Sequence, residues 1–255
     1  MRVDDEHGLS HPRPAHRRSQ AHPRQTPEAR RRTVVTLVAL PAAIAYVVLT
    51  WLVASGNTVA IDAATYQVFR PGGVWAGAQG VFGNVVDDLK PAVCALILLV
   101  VAVYSARRQR SWQPFVLVAL LGVPTVLVIL GTKAIVDRVD PAGGLVPGRG
   151  AYSSGHAAFI LLCSAGVAML IERPVRWPAR LVVAALCVLM AVSLLYIGLH
   201  WVSDILGGTL VGVVVLALAS LLPVQGLARR PIAPEEGQAG DSRSPAADLP
   251  GLHND

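Results

Sequence analysis

The stretch 114–131 reads PFVLVALLGVPTVLVILG and contains no charged side chain. A helix needs about 20 predominantly apolar residues to cross the hydrocarbon core of a bilayer. The 255-residue chain is 53% hydrophobic and only 15% charged, an apolar content that a single soluble core does not need. The stretch therefore predicts a membrane-spanning helix.

Five further apolar runs lie on either side of this one, at 33–54, 91–105, 157–171, 181–199 and 205–222. The runs at 91–105 and 157–171 are short, so each needs flanking residues to reach spanning length. The pattern predicts an all-α membrane bundle of about six transmembrane helices, formed by residues 33–222. Segments 1–32 and 223–255 are polar and rich in Pro and charged residues, which is typical of disordered tails.

Positive charges are distributed unevenly between alternate loops. If the N-terminus lies in the cytoplasm, the inner segments hold 17 of the 22 Lys and Arg residues and the outer segments hold Arg70, Lys90, Lys133, Arg138 and Arg149. Cytoplasmic segments of membrane proteins carry such an excess. We therefore expect a multi-pass protein of the plasma membrane with both termini in the cytoplasm. The preference for Arg over Lys hints at a bacterial source.

The first outer segment contains a mixed polar and apolar stretch at 61–70. This stretch suits an amphipathic helix lying at the membrane interface, and it equally suits an ordinary loop. In the last apolar run, Gly208 and Gly212 have the spacing of small residues at helix contacts, which predicts packing within the bundle.

The composition also argues against some partners and cofactors. The net charge of +6 resides in tails and short loops rather than on one folded face, so we expect no nucleic-acid partner. The cysteines Cys94, Cys163 and Cys187 lie inside apolar runs without metal-ligand spacing, which is typical of small buried hydrophobic side chains. We expect neither a metal nor another cofactor, and the oligomeric state is not predicted.

Two of the seven histidines, His156 and His200, lie at the predicted outer ends of spans, and Asp204 follows His200 by four residues. In a helix this spacing places the two side chains on one face. A carboxylate bonded to one ring nitrogen fixes the tautomer and raises the basicity of the other nitrogen, which can then act as a nucleophile. The alternative is a packing and capping pair with Ser203 as the N-cap of the last helix.

A second group of residues favours the catalytic interpretation. Ser154, Gly155 and His156 open the fourth span, where backbone N–H groups lack partners and favour an anion. Gly155 permits close approach of a phosphate oxygen, Ser154 offers a hydroxyl, and His156 is placed to protonate a leaving oxygen. Lys133, at the outer end of the third span, is a compact cation suited to phosphate.

Three segments together resemble the motifs of the type 2 phosphatidic acid phosphatase family. They are Lys133-Ala-Ile-Val-Asp-Arg-Val-Asp-Pro141, Tyr152-Ser-Ser-Gly-His156 and Ser193-Leu-Leu-Tyr-Ile-Gly-Leu-His200-Trp-Val-Ser-Asp204. Their order, their intervals and the six-span layout agree with the family.

The resemblance implies a role for each matching residue. His200 would attack phosphorus and form a phosphohistidine, Asp204 would orient it, and His156 would protonate the leaving group. Lys133, Ser154 and the Gly155 amide would hold the phosphate oxygens without a metal ion. The substrate would be a lipid phosphate or a lipid diphosphate, such as a prenyl diphosphate, at the outer face of the membrane.

Two departures weaken this assignment. Asp140 stands where the first motif has Arg, and Leu194 stands where the third motif has Arg, whereas Ser153 in place of Pro is a minor change. Removing one well-placed donor to developing charge costs about 10²–10³ in rate. Arg138 or Arg149 could substitute by turning toward the phosphate; alternatively, Arg138 pairs with Asp137 or Asp140 at the surface.

The leading interpretation is a phosphatase of lipid phosphates or diphosphates. The alternative from another class is a catalytically impaired family member that binds phospholipid headgroups or acts as a membrane partner protein. A transporter or channel has little support, because apart from Asp204 the spans carry none of the buried charges that mark ion pathways.

Overall fold

The computed structural model describes residues 27–71, 78–141, 143, 150–171 and 175–221. In these ranges the chain forms eight helices and no strand: α1 Pro27–Ala54, α2 Val59–Phe69, α3 Ala78–Asp88, α4 Pro91–Gln109, α5 Gln113–Val136, α6 Gly155–Ile171, α7 Trp177–Ile197 and α8 Val202–Leu221. The predicted tails, apart from 27–32, lie outside the described residues.

Six of these helices coincide with the six predicted spans. Helices α1, α4, α5, α7 and α8 are long and apolar enough to cross a membrane, and α6 is an apolar helix of 17 residues. At 1.5 Å per residue α6 is about 25 Å long. The prediction of an all-helical polytopic bundle is confirmed. One boundary was wrong: α1 begins at Pro27, so residues 27–32 are helical rather than part of a tail, and Pro at a first helical position costs no hydrogen bond.

Helix α6 lies at the centre of the bundle and packs against α4, α5, α7 and α8. Small residues make the close contacts possible. A Cβ on Gly208 would lie 2.1 Å from the carbonyl oxygen of Ser154, and one on Gly212 would lie 2.9 Å from the Leu161 side chain. The predicted packing role of both glycines is confirmed, and the contact of α8 with the start of α6 brings Asp204 close to the second motif.

The stretch 61–70 falls almost entirely in helix α2, so the loop alternative is wrong. Its apolar residues Val59, Ile61 and Val68 are exposed, whereas Asp62 is 1% exposed. This arrangement suits a helix with lipid on one side and the polar end of the bundle on the other. Asp62 is therefore a residue of α2 whose side chain points into the bundle.

Helix α3 was not predicted from the sequence. It packs on the C-terminal end of α7, where Phe82 stacks on Tyr196 with ring centroids 4.5 Å apart and Gln79 donates a hydrogen bond to the Tyr196 carbonyl. Phe69 of α2 meets the edge of the same tyrosine ring. The two short helices α2 and α3 are thus joined through Tyr196.

The end of α7 requires a glycine. Gly198 has a φ of +69°, and its N–H caps the helix by donating to the carbonyls of Leu194 and Leu195. Left-handed backbone of this kind is the usual glycine-terminated end of a helix. The guanidinium of Arg70 fills the space beside Gly198, where a Cβ would lie 2.3 Å from Nη1, and donates to the carbonyl of Ile197. The third motif therefore turns sharply just before His200.

Candidate active site

Asp204 lies in the first turn of α8 and is fully buried. Its Oδ2 accepts the backbone N–H of Trp201 at 2.9 Å, a reciprocal capping bond from the third helical residue back to the residue before the helix. The predicted capping role of Ser203 was wrong, because Ser203 is the second helical residue. The capping alternative holds for Asp204 itself, and Oδ2 retains a second lone pair beyond the one that accepts the Trp201 N–H.

His200 precedes α8 and is 7% exposed. Its Nδ1 lies 3.6 Å from Asp204 Oδ2, so Nδ1 is the ring nitrogen that faces the carboxylate, at a distance longer than a hydrogen bond. The His156 ring, carried by the first turn of α6, lies with its centroid 6.0 Å from that of His200 and is inclined by 62°. The structure therefore brings the three residues singled out from the sequence into one place.

Arg138 contacts this group from the loop after α5. Asp137 adopts left-handed backbone at the end of that helix, with a φ of +37°, a conformation that Asp tolerates better than most residues. Arg138 Nη1 then donates to Asp204 Oδ1 at 2.9 Å and to Ser203 Oγ at 2.6 Å. The predicted surface pairing of Arg138 with Asp137 or Asp140 was wrong: its described carboxylate partners are Asp204 and Asp62.

Asp62 is the residue that sequence analysis missed. Its Oδ2 accepts Arg138 Nη2 at 2.6 Å and Ser203 Oγ at 2.8 Å, and its Oδ1 accepts the backbone N–H of Ser203 at 3.0 Å. A negative side chain at the N-terminus of a helix is stabilised by the helix dipole. The only signal in the sequence was an acid within a mainly apolar outer stretch.

Ser154 and Gly155 begin α6. The Ser154 hydroxyl oxygen accepts the N–H of Ala157 at 3.3 Å, and the Ser154 N–H donates to the carbonyl of Asp204 at 3.0 Å. Ser154 is fully buried, so its oxygen serves as the N-cap of α6 while its hydroxyl proton can still be donated. A Cβ on Gly155 would meet nothing closer than 3.9 Å, and the first N–H groups of α6 have no acceptor within the helix.

Lys133 lies in the last turn of α5, and its ammonium donates to the Gly150 carbonyl. Because an ammonium group has three donors, this bond accounts for one of the three. Gly150 is also in close contact with the Arg138 backbone, since a Cβ there would lie 2.8 Å from the Arg138 nitrogen. The loop around Gly150 thus joins the first motif to the second.

The two missing arginines have different surroundings. Leu194 is fully buried in the apolar core of the bundle, whereas Asp140 is half-buried in the loop after α5. Arg149 lies outside the described residues. Among the described His, Cys, Asp and Glu side chains, no three lie together as a ligand set for a metal ion.

Tyr152, the first residue of the second motif, anchors that motif to the bundle. Its hydroxyl lies 2.8 Å from Thr50 Oγ1 of α1, and its ring stacks on Tyr46. Burial raises the pKa of Tyr152 to about 12, so the phenol remains protonated at neutral pH.

The comparisons agree with the resemblance drawn from the three motifs. The sequence model of the PAP2 superfamily matches residues 136–225, a segment that contains His156, His200 and Asp204 but begins after Lys133. No curated protein matches the chain.

Among solved structures, the fold is similar to the first transmembrane PAP2 type phosphatidylglycerolphosphate phosphatase from Bacillus subtilis. The TM-score is 0.60 at 16% sequence identity, with 74% of this chain and 94% of that chain covered. At this identity the likeness concerns the fold. The predicted resemblance and fold class are confirmed.

Proposed function

We propose that this chain, with its PAP2 superfamily segment, is a membrane phosphatase that hydrolyses a lipid phosphate or lipid diphosphate at the outer face of the membrane. The observation that carries the proposal is the grouping of His156, His200 and Asp204. The imidazole in the first turn of α6 and the imidazole just before α8 have ring centroids 6.0 Å apart, and a buried carboxylate lies behind the second.

His200 Nε2 is the proposed nucleophile, because Nδ1 is the ring nitrogen that faces Asp204. Nε2 attacks phosphorus, the N–P bond forms, and the bond from phosphorus to the leaving oxygen breaks. His156 donates a proton to that oxygen. Water then attacks the phosphohistidine, His156 takes a proton from it, and the N–P bond breaks to release inorganic phosphate. Asp204 stabilises the positive charge that develops on the His200 ring.

Lys133, the Ser154 hydroxyl and the first N–H groups of α6 are the proposed donors to the phosphate oxygens. Preorganised donors of this kind stabilise charge that develops in the transition state. Arg138 instead lies behind Asp204, with both of its terminal nitrogens bonded to carboxylates. Its proposed role is therefore to hold Asp204, and phosphate binding by Arg138 would require these bonds to break.

A groove along α6 supports a lipid substrate. It is apolar, lies between α4, α6 and α7, and is lined on α6 by Ile160, Cys163, Ser164 and Val167. Ile160 follows His156 by four residues, so the two side chains share one face of α6. A headgroup between the histidines could therefore leave its hydrocarbon tail in the groove. The asymmetry of positive charges supports an active site at the outer face.

The alternative of an impaired headgroup-binding protein has one specific observation in its favour. The site contains two buried carboxylates, Asp62 and Asp204, and Arg138 is engaged by both. The described part of the first motif contains two cations, Lys133 and Arg138. Arg138 forms ion pairs with carboxylates of the described residues, and Lys133 does not. Such a site would bind a phosphate without efficient turnover.

The test is phosphate release by the purified full-length protein in mixed micelles with ³²P-labelled phosphatidic acid, phosphatidylglycerophosphate or prenyl diphosphate. Rapid quenching in alkali should trap label on the protein in an acid-labile bond. We expect both signals in the wild type and neither in His200→Asn. Saturable binding with no released phosphate and no trapped label from any of the three lipids would establish the impaired alternative.

A further inference from the structure

We propose that Asp62 of α2 is a positioning residue that holds Arg138 in a one-sided contact with Asp204 and so keeps the second oxygen of Asp204 available to His200. This inference rests on the proposed phosphatase function. Asp62 lies outside all three motifs and outside the segment that the superfamily model matches.

The burial of Asp62 requires an explanation. A carboxylate that is 1% exposed in a helix with exposed Ile61 beside it is costly unless it is paired. Both of its oxygens are engaged, by the Ser203 N–H and hydroxyl and by Arg138 Nη2. These partners belong to the loop after α5 and to the start of α8. The first segment contacts Asp204 through Arg138, and the second contains Asp204.

Arg138 is divided between two carboxylates. Nη2 points to Asp62 and Nη1 points to Asp204, while the guanidinium lies 5.3 Å from the centre of the Trp201 ring. A guanidinium prefers to bond a carboxylate with two parallel N–H groups, one to each oxygen. With Nη2 held by Asp62, Arg138 contacts Asp204 through Nη1 and Oδ1 alone.

In this arrangement Asp204 Oδ2 accepts the Trp201 N–H at 2.9 Å, and His200 Nδ1 faces the same oxygen at 3.6 Å, which is longer than a hydrogen bond. Without Asp62, the guanidinium is free to bond both oxygens of Asp204 and to compete with His200. Asp62 also adds a second negative charge, so that one guanidinium does not neutralise Asp204 completely. The loss of Asp62 should therefore reduce the activation of His200, and it should do so through Arg138.

The competing explanation is that Asp62 only stabilises the start of α8 through the Ser203 N–H. The two explanations differ in their dependence on Arg138. If Asp62 acts through Arg138, its substitution has little further effect once Arg138 is replaced. If Asp62 acts only as a cap, the loss is the same in either background.

The experiment is a double-mutant cycle in the full-length protein with Asp62→Asn, Arg138→Gln and the combination. In the wild-type background we expect Asp62→Asn to lower kcat at least tenfold and to change KM less than threefold. In the Arg138→Gln background we expect the same substitution to lower kcat less than twofold relative to Arg138→Gln alone. Asp88→Asn, at an exposed position on α3, is the matched control and should retain wild-type kcat. An unchanged kcat in Asp62→Asn, or equal losses in the two backgrounds, overturns the proposal.

Two further measurements keep the outcome decisive. If Asp62→Asn does not fold, Asp62→Glu retains the charge at a shifted position, and its kcat loss should likewise disappear in the Arg138→Gln background. If the wild type releases no phosphate, the proposed phosphatase function is wrong, but the inference about Asp62 can still be tested. Thermal unfolding then tests the contact between Asp62 and Arg138. The shift in unfolding midpoint caused by Asp62→Asn should fall by half or more in the Arg138→Gln background, and equal shifts overturn the inference.

Discussion

The ring centroids of His156 and His200 lie 6.0 Å apart, although one histidine opens α6 and the other precedes α8. The two rings are not hydrogen-bonded partners at this distance. In the proposed mechanism one imidazole attacks the phosphorus atom while the other protonates the departing oxygen. The first prediction follows from this division of roles.

Replacing His156 by Ala should slow the reaction in a way that depends on the leaving group. General acid catalysis contributes about 10²–10⁴ in rate, so kcat for a lipid phosphate with an alkoxide leaving group should fall by that factor. An aryl phosphate with a strongly acidic phenol needs no protonation and should lose much less. Steady-state phosphate release with both substrates checks this. Equal losses on both substrates would remove His156 from the role of general acid, and His200→Ala, the comparison variant, should inactivate both reactions.

Replacing Arg138 by Ala should destabilise the protein strongly. The substitution leaves Asp62 and Asp204 buried without their counter-charge, and breaking a buried pair in this way costs about 3–5 kcal/mol. The unfolding free energy in detergent measures the effect. Arg108→Ala, at an exposed position at the end of α4, should change it by less than about 1 kcal/mol. A loss of similar size in both variants would contradict the described ion pairs.

Introducing arginine at positions 140 and 194, where the motifs that the chain resembles have arginine, should have opposite effects. Asp140→Arg removes a negative charge from the loop after α5 and adds a donor, so phosphate release should rise about tenfold or more. Leu194→Arg places a cation in the apolar core, where an unpaired charge is costly, so the unfolding midpoint should fall. Phosphate assays together with thermal unfolding check both. A stable Leu194→Arg protein with raised activity would show that this side chain can reach the phosphate.

Replacing Gly208 by Ala should damage both stability and activity. The added Cβ would collide with the Ser154 carbonyl, which forces α8 away from the start of α6 and separates Asp204 from His156. Gly131→Ala on α5 is the control, because a Cβ there meets no atom within 4 Å and Ala favours the helix by about 1 kcal/mol. We expect a lower unfolding midpoint and reduced phosphate release for the first variant and neither for the second. Wild-type behaviour of Gly208→Ala would contradict the described contact between α6 and α8.

The sequence predicted structure correctly where the composition of one segment or the spacing of nearby residues was sufficient. Uncharged runs such as 114–131 located the spans. The spacing of His200 and Asp204 indicated that the two side chains lie close together, but the predicted shared helix face was wrong, because His200 precedes α8 and only Asp204 lies on it. The partner of Arg138 was not predictable in the same way. Asp137 and Asp140 are its neighbours along the chain, but the left-handed turn at Asp137 sends the side chain toward α8 instead.

Helices α2 and α3 show a second limit of prediction from the sequence. Helix α3 contains Gly80, Gly83 and Asn84, residues with low helix propensity, and it is held by its contacts with Tyr196 rather than by a local pattern. Asp62 likewise acquires its role only because α2 packs against the start of α8. Interactions between residues so far apart in the chain leave no periodic trace in one sequence.

Helix α2 is fastened at two points, through Asp62 to the start of α8 and through Arg70 to the end of α7 beside Gly198. These anchors are eight residues apart, which is about 12 Å along a helix. A helix held at both ends can neither slide along the membrane surface nor lift as a hinged flap unless an ion pair or a helix cap is broken. If the proposed function holds, we expect a lipid substrate to enter and leave while α2 stays in place, on a side of the bundle that α2 does not cover.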